Sequence, residues 1–122
     1  MKPVYKNVIS FLWVKDTKTA MAFYADILGC KIVFESDGWA ELSVPGAPNT
    51  FFALNKWAGE GDHPLNDFLT LGIDDIDGFR RFLESHRVNS VGEIREFAEQ
   101  GMRMFKFHDP DGNTLTVSEV EL

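Results

Sequence analysis

A single cysteine, Cys30, stands in the 122 residues. That excludes an intramolecular disulfide and any zinc site built from several thiolates. Free cysteine is usually buried, so Cys30, directly after Gly29, is expected as a small packing residue rather than a nucleophile. No apolar run approaches the roughly 20 residues of a membrane-spanning helix. The stretch MKPVYKNVIS has neither the apolar core nor the small-residue cleavage site of a secretory signal, so the expected location is the cytoplasm, with no membrane partner. Basic residues are outnumbered: 12 Lys and Arg against 19 Asp and Glu give a net charge of −7, which argues against nucleic acid as a partner. GxSxG, glycine-rich phosphate loops and HExxH are all absent. The three histidines, His63, His86 and His108, are not spaced as ligand pairs. Only His63 with Asp62 or Asp67 forms a local cluster, and the plain reading is three loop or surface histidines.

What is present is ordinary for one globular domain: 44% hydrophobic and 25% charged residues. The charge is uneven. Residues 1–59 sum to +1 and residues 60–122 to −8. The plain reading is a solvated acidic surface; the sharper one is a field that favours a cationic ligand.

The chain also repeats itself. Val8 to Val14 reads as a strand, Asp16 as a helix cap, and Ala20, Phe23, Tyr24, Ile27 and Leu28 as one helical stripe closed by Gly29. Phe68 to Ile73, Asp75, and Ile76, Phe79, Phe82 and Leu83 do the same 59 residues later. The ends of the halves match at an offset of 63. Gly38 falls on Gly101, Leu42 on Phe105, Val44 on Phe107, Phe52 on Leu115 and Leu54 on Val117. The larger offset is assigned to a longer loop around Val91 to Gln100. Asp109-Pro110-Asp111-Gly112-Asn113 is a hairpin turn, with Pro110 fixing φ and Gly112 free to take φ > 0. Each half thus reads strand, helix, strand, strand, strand. A helix covers one face of such a sheet, and two curled sheets facing each other would leave a concave cleft.

In this pattern the chain resembles the vicinal oxygen chelate superfamily of glyoxalase I, extradiol dioxygenases, fosfomycin-resistance enzymes and bleomycin-resistance proteins. The carriers are Val14-Lys15-Asp16 leading to Phe23-Tyr24 and Leu28-Gly29, then Gly72-Ile73-Asp74-Asp75, and Phe107-His108 before the Asp109–Asn113 turn. The resemblance implies an α+β fold in which two βαβββ modules form a curled mixed-sheet cleft with helices on the outside. One domain would span 1–122, with modules at about 1–59 and 64–122. Homodimers with shared sites are common in the superfamily, and a homodimer is expected here.

The resemblance also implies where a metal would sit. Enzymes of the superfamily typically hold a divalent ion with His or Gln on the first strand of each module and Glu on the fourth. Those positions here are Ile9, Phe68, Ala53 and Thr116. Three have no donor atom, and a lone neutral hydroxyl is a poor ligand for zinc, manganese or iron. No metal and no other cofactor is expected.

Strand alternation extends the lining. Ile9, Phe11 and Trp13, Phe51, Ala53 and Asn55, Phe68 and Thr70, and Thr114, Thr116 and Ser118 would face the cleft. Gly72 shares the face of Thr70, and Trp39 and Trp57 are possible additions. Apolar area with a few polar groups suits an organic small molecule, and the indoles suit an aromatic or cationic one. The expected function is metal-independent binding or sequestration of a bulky compound, as in the bleomycin-resistance branch, with no catalytic residues. One alternative is a lyase, isomerase or dioxygenase using a displaced metal, with Glu41, His108 and Glu119 as acid–base candidates. The other is a non-catalytic dimerisation or regulatory module with a plugged cleft.

Overall fold

The computed structural model describes residues 1–67 and 69–120. The chain divides into two compact units, Met1–His63 and Pro64–Leu122.

The first unit runs β1 (Ser10–Val14), α1 (Thr17–Met21) continued by a π-helical turn (Ala22–Ile27), β2 (Lys31–Ser36), β3 (Trp39–Val44) and β4 (Ala47–Lys56). The sheet order is β1-β4-β3-β2, with β1 parallel to β4 and the other pairs antiparallel. Asp16 caps α1 as its residue type predicts: its carboxylate accepts from the Lys18 and Thr19 backbone N–H and from the Thr19 hydroxyl at 2.7 Å. Those bonds hold the Asp16 carboxyl below the usual range, the Thr19 hydroxyl contributing most. Gly29, at φ 76°, occupies the left-handed position that ends the helix.

The second unit runs β5 (Leu69–Gly72), α2 (Ile76–Ser85), β6 (Arg95–Phe97), a 3₁₀ turn (Ala98–Gln100), β7 (Met102–His108) and β8 (Thr114–Val120). Its order, β5-β8-β7-β6, repeats the first plan. Both units are therefore βαβββ, and the chain is α+β.

Alternation puts one face of each sheet under its helix. In the first unit Leu12, Val14, Ala40, Leu42, Phe52 and Leu54 are buried together with Ala20, Phe23 and Tyr24. The Tyr24 and Phe52 rings meet 5.4 Å apart. In the second, Phe79 of α2 lies 6.4 Å from both Phe105 and Phe107, and Ile76, Leu83, Leu115 and Val117 are buried with them. Each buried Leu, Ile, Val or Phe among them stabilises the fold by about 1.5–3 kcal/mol.

The Asp109–Asn113 turn is more than a chain reversal. Asp109 and Asn113 are buried. Asp109 Oδ1 accepts from the backbone N–H of Asp111 and Asn113, and Asn113 Nδ2 donates to Asp109 Oδ2. Asn113 Oδ1 in turn accepts the Asn66 N–H at 3.0 Å, tying the segment before β5 to the hairpin.

Two expectations need correction. The segment 91–100 is not one loop: β6 and the 3₁₀ turn lie in it, and its start is held by the Gly92 N–H donating to the Lys106 carbonyl at 2.8 Å. The 63-residue offset holds for β4 and β8 but not for β3 and β7. Phe52 pairs with Leu42 and Leu115 pairs with Phe107, so Leu42 corresponds to Phe107 rather than Phe105. The β3–β4 hairpin shifts register between Ser43 and Val44, and the residues absorbed there displace one strand against the repeat.

Candidate functional site

The face of the first sheet opposite α1 carries Phe11 and Trp13 on β1, Trp39 and Glu41 on β3, and Phe51, Ala53 and Asn55 on β4. The register places Phe11 and Glu41 on either side of Ala53, and Trp13 and Trp39 on either side of Asn55. Four rings form a row. Trp57 meets Trp13 edge to face at 5.0 Å, Trp13 meets Phe11 at 4.9 Å, and Phe11 meets Trp39 at 6.1 Å. All four are half-buried. Trp57 is fixed by its Nε1–H donating to the Gly61 carbonyl and by packing over Gly59, where a Cβ would collide with the indole.

The row has a negative end. Trp39 Nε1–H donates to Glu41 Oε2 at 2.8 Å. Glu41 also borders a pocket of about 640 Å³ lined by Lys6, Ile9, Val33, Asn49, Thr50 and Phe51 among others, so that it carries one acid and one base. Ring faces attract cations, and a carboxylate beside them adds to that attraction. The arrangement can hold a flat or positively charged organic group.

The corresponding face of the second sheet is different. Thr116 lies between Thr70 on β5 and Lys106 on β7; Ser118 lies between Gly72 and Met104; Thr114 lies opposite His108. Arg95 on β6 is opposite Met104. The hydroxyls expected from the sequence do share a face, but an ammonium stands among them. Phe68 lies outside the described residues.

Of the four positions that the family resemblance implies for a metal, three carry side chains without a donor atom, Ile9, Ala53 and Phe68. Ile9 is half-buried before β1, and Ala53 is fully buried. Thr116 faces Lys106 across the hairpin, where a divalent cation would meet a like charge. Among the described residues no three His, Cys, Asp or Glu side chains are grouped to hold a metal ion. His63 lies in a loop, as expected, but its side chain is buried. His86 caps α2 and stacks on Phe82 with ring centroids 4.4 Å apart. His108 is half-buried, and its strand bridges to Asn89.

His108 and Glu119 project from opposite faces of their sheet, so they form no acid–base pair. Glu119 serves α2: its Oε2 accepts the Ile76 N–H at 3.0 Å. Cys30 is buried, and desolvation pushes its thiol up to about 11, so it is protonated and unreactive at neutral pH.

Sequence reasoning passed over Glu41 as a partner of the tryptophans and did not single out Lys106 or Arg95. The first had a signal: Trp39 and Glu41 are two apart on a strand and must share a face. The others depend on hairpin register.

Comparison with known proteins gives the fold a wider setting. Residues 7–117 match the family model of the Glyoxalase/Bleomycin resistance protein/Dioxygenase superfamily. No curated protein matches. A solved structure described as a member of that superfamily, from Sphaerobacter thermophilus, is 26% identical with a TM-score of 0.81, covering 95% of this chain and 98% of the other. A bleomycin resistance determinant encoded on the transposon Tn5 is 24% identical with a TM-score of 0.75, covering 97% and 100%. A lactoylglutathione lyase from Agrobacterium tumefaciens is 20% identical, also with a TM-score of 0.75, covering 97% and 96%. A resistance determinant and a lyase share the fold, so the fold alone does not choose between binding and catalysis.

Proposed function

The chain belongs to the glyoxalase/bleomycin resistance protein/dioxygenase superfamily, and on that premise we propose that it binds and sequesters a bulky aromatic, positively charged small molecule without a metal. The observation that carries this reading is the ring row Trp57-Trp13-Phe11-Trp39 ending on Glu41. Sequestration needs affinity and no reacting group. Four half-buried rings supply apolar contact area, Asn55 and Glu41 supply orientation, and the pocket beside Glu41 has the size of a drug-binding cavity.

The similarity to a bleomycin resistance determinant supports the reading. The misfit of Ile9, Ala53 and Thr116 as ligands argues against the superfamily's metal chemistry at those positions. A homodimer is part of the proposal. β2 is an edge strand with Ile32, Val33 and Phe34 all exposed, a surface that a second copy would cover.

Three tryptophans report on the site directly. Titration with bleomycin-type and other aromatic cationic compounds should quench or shift their emission saturably. Unchanged emission with every such compound would reject the proposal.

A further inference from the structure

The second unit is strongly acidic in sequence, yet its acids avoid the open face of its sheet. Glu96 on β6 alternates to the helix side, where its Oε1 lies 3.7 Å from Arg103 Nε. Asp77 and Glu119 also face Arg103. The open face carries two cations instead. Arg95 is paired in register with Met104, and Lys106 is two residues further along β7 on the same side. Diagonal neighbours of this kind have Cα atoms about 7–8 Å apart, within reach of one shared anionic group. Both side chains belong to exposed residues, and among the described residues neither has an ion pair.

Arg95 and Lys106 border a pocket of about 680 Å³ that also takes in Gly92, Glu93, Phe97, Met104 and Phe105. Phe97 and Met104 give it an apolar wall next to the charges. Glu93 is the one acid on its rim, and it is turned toward Arg80, whose Nη2 lies 3.5 Å away. The rim is built: Arg80 Nε donates to the Gly92 carbonyl at 2.7 Å, and the Gly92 N–H donates to Lys106 O. A Cβ at Gly92 would press on that same carbonyl at 3.3 Å.

We propose that this pocket binds the anionic end of an amphipathic small molecule, a carboxylate, phosphate or sulfonate joined to an apolar body. Arg95 and Lys106 hold the anion, and Phe97 and Met104 receive the apolar part. Its charge preference is opposite to that of the aromatic face in the first unit.

The probes are 8-anilinonaphthalene-1-sulfonate, the neutral N-phenyl-1-naphthylamine, which keeps its two aromatic ring systems without the sulfonate, and inorganic phosphate. The wild-type protein should bind the sulfonate at a saturable site and the neutral amine more weakly. Arg95→Gln with Lys106→Gln should weaken the sulfonate by about tenfold or more while leaving the neutral amine unchanged. Lys106→Arg should retain binding. Both cations are exposed, and unchanged near-ultraviolet circular dichroism will show that the variants keep their packing. Equal affinity of wild type and double variant for the sulfonate would overturn the site. Displacement of the sulfonate by inorganic phosphate at equal concentration would overturn the amphipathic requirement.

Discussion

Thr116 is the residue on which the metal question turns. It is buried, it carries a hydroxyl where the family resemblance implies a carboxylate ligand, and Lys106 is its cross-strand partner. Thr116→Glu supplies the missing carboxylate but places it against an ammonium, and Ile9 and Ala53 still offer no donor atom. The new carboxylate pairs with Lys106. Calorimetric titration of the variant with zinc or nickel is expected to show no tight binding; submicromolar affinity would contradict this placement. Cys30 offers no substitute ligand at neutral pH, because burial keeps its thiol protonated.

At the scale of elements, α2 is held to its sheet by charge as well as by packing. Arg103 on β7 donates from Nη1 and Nη2 to the two carboxylate oxygens of Asp77 in the first turn of the helix, at 2.9 and 3.1 Å. These bonds lower the Asp77 carboxyl and raise the guanidinium. A depressed carboxyl contributes stability above its unfolded pKa, near 4, and loses it as the pH falls through the folded value. Asp77→Asn should therefore reduce stability at pH 6, with the gap from wild type closing toward pH 3. Urea denaturation across that range checks it, and a gap independent of pH would contradict the clamp. The elements were largely legible in the sequence because alternation is local: the burial of Leu12, Val14, Phe52, Leu54, Leu115 and Val117 follows from period two alone. Register was not legible. The repeat places Met104 at the position of Glu41, whereas the structure places Lys106 there, because the paired residues Glu41 and Ala53 are twelve positions apart along the chain and Lys106 and Thr116 only ten. An irregular pairing beside a turn leaves no periodic trace.

Across the whole molecule, one βαβββ plan is used twice and finished with different chemistry. Net charge misleads about the two open faces: the unit with the near-neutral sequence sets Glu41 into a row of rings, and the acidic one sets Lys106 and Arg95 into a row of hydroxyls and apolar groups. The ring row was only half legible. Alternation gave Phe11 and Trp13, but the joining of Trp39 and Trp57 to them depends on strand order, which pairs β4 between β1 and β3. The central claim is that these rings with Glu41 select a cationic aromatic guest. Isothermal titration of wild type and Glu41→Gln with an aromatic cation and its neutral isostere tests it most directly. The cation is expected to bind wild type more tightly than the isostere, and Glu41→Gln to remove most of that preference while keeping affinity for the isostere. An unchanged preference in Glu41→Gln, or no binding of either compound to the wild-type protein, would contradict the account.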